Sequence, residues 1–307
     1  MKSEPNISVD IAGIKMRCPV MVASGTFGYG EEYADLLDLS RLGALVAKGI
    51  TLNPRQGNPP PRIVETPAGM LNAIGWENVG LQVFLEEKLP FLKRFNTPLI
   101  VNVCGKKEEE YVQIAERLDD REGVAGLELN ISCPNVRSGG LSFGREAGAT
   151  QKLVAGVRRV TKLPLIVKLS PNVTDIVSIG RAAQDAGADG LSLINTLVGI
   201  AVDIKTKRPK LTNITGGLSG PAIKPVALRS VWEVAGKVDL PIIGMGGIMT
   251  GEDAVEFLLA GATAVAVGTA NFVNPHAALD VAEGIREYLE ENKIQDVNSL
   301  REYGKKW

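Results

Sequence analysis

Histidine is almost missing from this chain. Its 307 residues include one, His276, beside Pro275 where a helix is expected to start. A Ser-His-Asp triad therefore has no good histidine, and a histidine-rich metal site has too few ligands. Cysteine is nearly as scarce: Cys18, Cys104 and Cys133 are odd in number, widely spaced and form no C-x-x-C pair. That pattern fits a reducing compartment better than a disulfide framework, and offers neither structural zinc nor an iron–sulfur cluster its ligands. Charge of one sign is lacking too. Lys and Arg number 34 against 35 Asp and Glu, a net charge of −1 with no long basic block, so nucleic acid is a poor partner. No apolar run approaches the roughly 18 residues of a membrane span. The opening MKSEPNISVDIAG resembles neither a secretory signal nor an arginine-rich transit segment, so a cytoplasmic location is expected.

What the chain has in quantity is short apolar runs. A hairpin is predicted first, with Ile7–Ile11 and Lys15–Arg17 around Ala12-Gly13. Eight runs of β character follow: Val20–Ala23, Ala44–Lys48, Leu99–Val103, Gly126–Leu129, Leu165–Leu169, Leu191–Ile194, Ile242–Met245 and Ala264–Val267. They are predominantly apolar instead of alternating, which suits parallel strands covered on both faces. Helical patterns lie between them. Thr250-Gly-Glu-Asp253 reads as a capping box opening a helix that stops at Gly261, and Thr174 is placed to cap Asp175–Ala186 before Gly187. Eight strand–helix units favour a closed (β/α)8 barrel over an open doubly wound sheet, and with no linker or composition shift residues 1–307 are expected to form one domain.

Active sites of such barrels collect at the C-terminal strand ends. Here those ends read Ser24, Lys48, Asn102, Asn130, Lys168, Asn195-Thr196, Gly246-Gly247 and Gly268-Thr269. Amides, two cations and glycines converge, and carboxylates do not cluster. The glycines after strands seven and eight stand where barrels commonly bind phosphate on backbone N–H groups. Gly244-Met-Gly-Gly has the wrong spacing and context for a dinucleotide fingerprint. With no metal, histidine or paired acids, difficult chemistry should come from a bound organic cofactor carrying phosphate. After strand four comes Asn130-Ile-Ser-Cys-Pro-Asn-Val-Arg-Ser-Gly-Gly-Leu-Ser-Phe-Gly144, with a lone cysteine against a proline and glycines able to hinge a loop.

These motifs closely resemble the dihydroorotate dehydrogenase family, whose members are FMN-dependent barrels of pyrimidine synthesis. The resemblance runs through Ala23–Gly28, Asn58–Arg62, Met70–Gly75, Asn130–Asn135 and Gly216–Pro225, in order over nearly the whole chain. It implies Cys133 as catalytic base. It implies FMN contacts from Ser24, Lys48, Gly49, Asn102, Asn130, Lys168, Ile194, Gly220, Gly246, Gly247, Gly268 and Thr269. Dihydroorotate would be held by Lys48, Asn72, Ala73, Ile74, Gly75, Trp76, Asn130, Asn135, Asn195 and Thr196. The cysteine, the Gly-Gly-Leu-Ser-Phe-Gly lid and Glu65–Met70 look like class 1B. That class passes electrons to NAD through a second subunit bearing FAD and a [2Fe-2S] cluster, in a heterotetramer of two plus two chains. A fumarate-using class 1A-like enzyme is the nearest alternative. A phosphate-binding isomerase or lyase, with Lys168 as a Schiff-base lysine, is a remote one. Gly49 where a serine is usual, and Trp76-Glu77 and Val79 in the substrate loop, depart from the family pattern; Cys18 and Cys104 are also unusual for it and are expected to be packed.

Overall fold

The computed structural model describes residues 4–131 and 143–304. Eight parallel strands close into a barrel: β1 Val20–Val22, β2 Ala44–Ile50, β3 Leu99–Val103, β4 Gly126–Asn130, β5 Leu165–Lys168, β6 Gly190–Leu193, β7 Ile242–Met245 and β8 Ala264–Val267. Neighbours around the barrel follow chain order, and β8 pairs with β1 to complete it. All eight predicted runs are barrel strands, with ends within one or two residues of expectation. Seven of them are buried at every position, and β2 at every position but Lys48 and Gly49. Strands made mostly of Val, Ile, Leu and Ala and covered on both faces carry few polar residues, so their overall apolarity is the signal that marks them. Val9–Ile11 and Ile14–Met16 form the predicted hairpin, which seals the N-terminal end of the barrel with Ile11 and Ile14.

Local chemistry sets the helix starts. Thr250 caps the helix Gly251–Leu259: its Oγ1 accepts from the Asp253 amide, and Asp253 accepts from the Thr250 amide in return. Lys224 Nζ donates to Asp253 Oδ1 at 2.6 Å and to Glu256 Oε1 at 2.8 Å. Burial pushes the Asp253 carboxyl up, but the Lys224 ammonium and the amides of Met249 and Thr250 outweigh it and hold the group below its ordinary value. One predicted cap is corrected. Asp175, not Thr174, precedes the helix Ile176–Asp185, and its carboxylate accepts from the amides of Val177 and Ser178. An aspartate in extended backbone reaches both amides of the first turn and brings negative charge to the positive end of the helix.

A four-stranded antiparallel sheet stands over the barrel's C-terminal mouth, in the order Leu197–Ile200, Thr215–Ser219, Gly69–Asn72, Ile63–Thr66. Its pairing needs glycine. A Cβ at Gly217 would lie 2.0 Å from Thr196 Oγ1, and one at Gly216 would lie 2.7 Å from Asn72 O. Such a glycine-rich strand has little β propensity of its own. It was invisible to a search for apolar runs.

Candidate active site

The mouth of the barrel holds a cavity of about 290 Å³. Strand register brings its polar wall together. Asn102 on β3 lies opposite Glu128 on β4, Asn130 opposite Lys168 on β5, and Lys168 opposite Ser192 on β6. A bulge in β2, where Ala47 to Ile50 spans one residue more than Val101 to Val103, lets both Lys48 and Gly49 reach the cavity. All the predicted cofactor-binding residues line it: Ser24, Lys48, Gly49, Asn102, Asn130 and Lys168 on the first five strand ends, then Ile194, Gly220, Gly246, Gly247, Gly268 and Thr269.

One side of the cavity is backbone. Gly246 and Gly247 have φ of +128° and +82°, where a side chain is strained. The space a Cβ would need is also taken, by Ala227 Cβ at 2.8 Å from the first and by the Lys224 amide nitrogen at 2.9 Å from the second. The helix entered through Pro221–Ile223 and Lys224–Ala235 starts beside them. Because Lys224 is turned to Asp253 and Glu256, an anion in this corner would meet amide N–H groups rather than that ammonium. Thr269, whose hydroxyl donates to Ser219 Oγ at 2.8 Å, completes the corner.

The opposite side is formed by the antiparallel sheet and the segment that follows it. Asn72, Ile74, Gly75, Trp76, Asn195 and Thr196 line it as predicted. Ala73 does not. Alternation along the chain turns it into a small cluster with Leu71 and Leu211, and it is fully buried there. Trp76 is held in left-handed backbone at φ +59°, with its ring packed on Cys104 and the Arg55 guanidinium 5.4 Å above. Cys133 and Asn135 lie outside the described residues.

Several residues of the site escaped the sequence reading. Met70, Met249 and Phe272 add apolar wall, and Ser219 adds a hydroxyl. Cys104, expected only to be packed, both packs and lines the cavity. It also accounts for Gly49. A Cβ at position 49 would stand 2.7 Å from Cys104 Sγ and 2.8 Å from Asn102 Oδ1, so the sulfur fills the room a serine there would use. Gly49→Ser should therefore overpack the wall, lowering stability by about 1–3 kcal/mol. Gly49→Ser with Cys104→Ala should recover most of that loss. Thermal melting of the two single variants and the double variant measures that coupling; strictly additive effects would show that the two positions do not share one space.

The match to known proteins agrees with this geometry. The family model described as dihydroorotate dehydrogenase matches residues 6–289. The chain belongs to the dihydroorotate dehydrogenase family. It is 62% identical over 297 residues to the dihydroorotate dehydrogenase B (NAD(+)) catalytic subunit of Geotalea uraniireducens, covering 97% of each chain. It is also 62% identical to the corresponding subunit of Citrifermentans bemidjiense, over 96% of this chain and 97% of that one. Among solved structures, the crystal structure of the Eimeria tenella enzyme in complex with ferulenol superposes with a TM-score of 0.81 at 25% identity, covering 97% of this chain and 88% of the other. Among the described residues, no helix is long and apolar enough to cross a membrane.

Proposed function

We propose that this chain oxidises (S)-dihydroorotate to orotate in de novo pyrimidine (UMP) biosynthesis, with FMN in the cavity and NAD as the final electron acceptor. The observation that carries this reading is the cavity itself, where four asparagine amides and two lysines face a glycine-lined anion corner in a chain of this family. The residues fit FMN. Gly246, Gly247, Gly268 and the helix start after Gly220 suit a phosphate, while Lys168 suits negative charge on the ring system. Bound FMN supplies a two-electron acceptor, which no side chain here can provide.

The chain's own residues do the rest. Dihydroorotate is a cyclic imide with a carboxylate. Its N–H and C=O edges match the amides of Asn72, Asn130, Asn135 and Asn195, and Lys48 offers a cation for the carboxylate. Cys133, three residues beyond Asn130, is the base that takes the C5 proton. Residues 1–307 act as one domain in this reading, in the cytoplasm. The relatives' names describe a catalytic subunit of an NAD(+) enzyme. This chain has three cysteines, one of them assigned to catalysis, where a cluster needs four ligands, so electrons leave through another protein. That partner carries FAD and a [2Fe-2S] cluster, in a two-plus-two heterotetramer.

Anaerobic addition of dihydroorotate to the purified yellow protein tests the reading. The flavin band near roughly 450 nm should bleach, and an artificial dye should be reduced while NAD is not until the partner is added. A colourless protein, or one whose flavin ignores dihydroorotate, would overturn the assignment; rapid NAD reduction by this chain alone would overturn the partner.

A further inference from the structure

One buried ionisable group has no part in the steps above. Glu128 lies in the middle of β4, and its carboxylate points into the barrel beneath the cavity, with 2% of the residue exposed. It accepts from Asn102 Nδ2 at 2.5 Å and from Ser192 Oγ at 2.7 Å, and Lys168 Nζ is 3.8 Å away. A carboxylate only accepts, so the Asn102 amide has to turn its NH2 group downward. Its Oδ1 then faces up, where it accepts from Asn130 Nδ2 at 3.3 Å and from Cys104 Sγ at 3.4 Å. Asn130, with its NH2 committed, offers Oδ1 to Asn195 Nδ2 at 3.4 Å, and Asn195 Oδ1 in turn accepts from the Thr196 amide at 2.8 Å. A side-chain amide has two orientations of nearly equal shape that exchange donor for acceptor. Here one carboxylate selects the orientation of three of them in succession.

We propose that Glu128 is a positioning residue that fixes, through Asn102, which amide edges Asn130 and Asn195 show to the ligand, and that balances the charge of Lys168. The inference rests on the flavin and dihydroorotate reading of the cavity. It separates two roles that different substitutions remove. Glu128→Gln keeps the shape and deletes the charge. Its Oε1 can still face Asn102 while its Nε2 faces Ser192, because a hydroxyl can reverse and accept. Glu128→Leu removes the acceptor as well, and the relay loses its direction.

The experiment uses the flavin-loaded enzyme and reads orotate affinity from the flavin spectrum and flavin poise from a redox titration, both per bound flavin. Glu128→Gln should bind orotate within about threefold of wild type, yet shift the reduced-to-oxidised flavin ratio at fixed potential about tenfold towards reduced, since Lys168 would act unopposed. Glu128→Leu should weaken orotate at least tenfold, the cost of about one misdirected hydrogen bond in a buried site. A purely structural Glu128 would lower melting temperature and flavin content in both variants but leave affinity and poise per flavin unchanged, and that result would overturn the proposal. If Glu128→Leu does not hold flavin, Glu128→Gln decides through its poise. If neither does, Ser192→Ala, which removes one of the two anchors of the carboxylate, should weaken orotate about threefold; unchanged affinity there would be equally fatal. Wild-type protein that bleaches with dihydroorotate shows that the underlying reading stands whichever way the variants behave.

Discussion

Gly268→Asp should yield folded protein that has lost its yellow colour. The position is the cleanest in the anion corner for this test. A Cβ there would meet only Ala23 Cβ at 3.7 Å and Thr26 Oγ1 at 3.9 Å, which is ordinary contact. The substitution therefore adds charge without forcing the backbone. Two unit charges about 4 Å apart in a partly buried site repel by about 4 kcal/mol, roughly a thousandfold in affinity, and a phosphate carries more than one. Gly247→Asp should do the same by two routes, because its φ of +82° and its contact with the Lys224 amide also disfavour any side chain. Comparing the two separates repulsion from strain. Flavin content by absorbance is the readout, with melting temperature compared against wild type stripped of flavin, since loss of a ligand lowers stability by itself. Full flavin occupancy in Gly268→Asp would place the phosphate elsewhere.

The barrel was legible because its strands are monotonous. Val20–Val22, Ile242–Met245 and Ala264–Val267 are buried on both faces, so composition alone marked them and set their ends. The strand-end residues followed from that frame, and the described ones line one cavity as the fold requires. The antiparallel sheet over the mouth was not legible. Thr215–Ser219 holds two glycines whose value is the close approach of Thr196 and Asn72, and no neighbour in sequence announces such a contact. Ala73 shares one motif with its flanking residues, but a period of two turns alternate positions away from the cavity.

Glu128 was hidden for a different reason. Carboxylates stand out in a sequence when they cluster at strand ends, and this one is single and two residues short of an end. Its partners Asn102, Ser192 and Lys168 lie 26, 64 and 40 positions away in the numbering and meet only across neighbouring and next-nearest strands of the closed barrel. A buried glutamate in an otherwise apolar strand, Gly-Leu-Glu-Leu-Asn, was nevertheless a usable signal. Such a residue is rarely left without a partner, and the polar strand ends on either side were the places to seek one. Cys104 gave a weaker hint. Only the distance from its sulfur to the empty Cβ position of Gly49 ties two departures from the family pattern into one exchange of volume.

Cys133→Ala should retain FMN and lose nearly all flavin reduction by dihydroorotate. Proton removal by a positioned base contributes typically 10²–10⁴-fold, so the rate constant for reduction should fall by at least about a hundredfold. The variant leaves the anion corner and the asparagine edges untouched, so orotate affinity should change by much less than the rate. Cys133→Ser should keep a little activity and need higher pH, because a hydroxyl ionises far less readily than a thiol. The sign follows from the base being active only when deprotonated. With an ordinary thiol value near about 8.5, the wild-type rate should climb as pH rises towards that value and level off above it, while Cys133→Ser should still be climbing there. Stopped-flow reduction under anaerobic conditions, followed at the flavin band across pH, measures each of these. Wild-type reduction rates in Cys133→Ala at neutral pH would remove Cys133 from the mechanism and leave the proton to another group at the cavity.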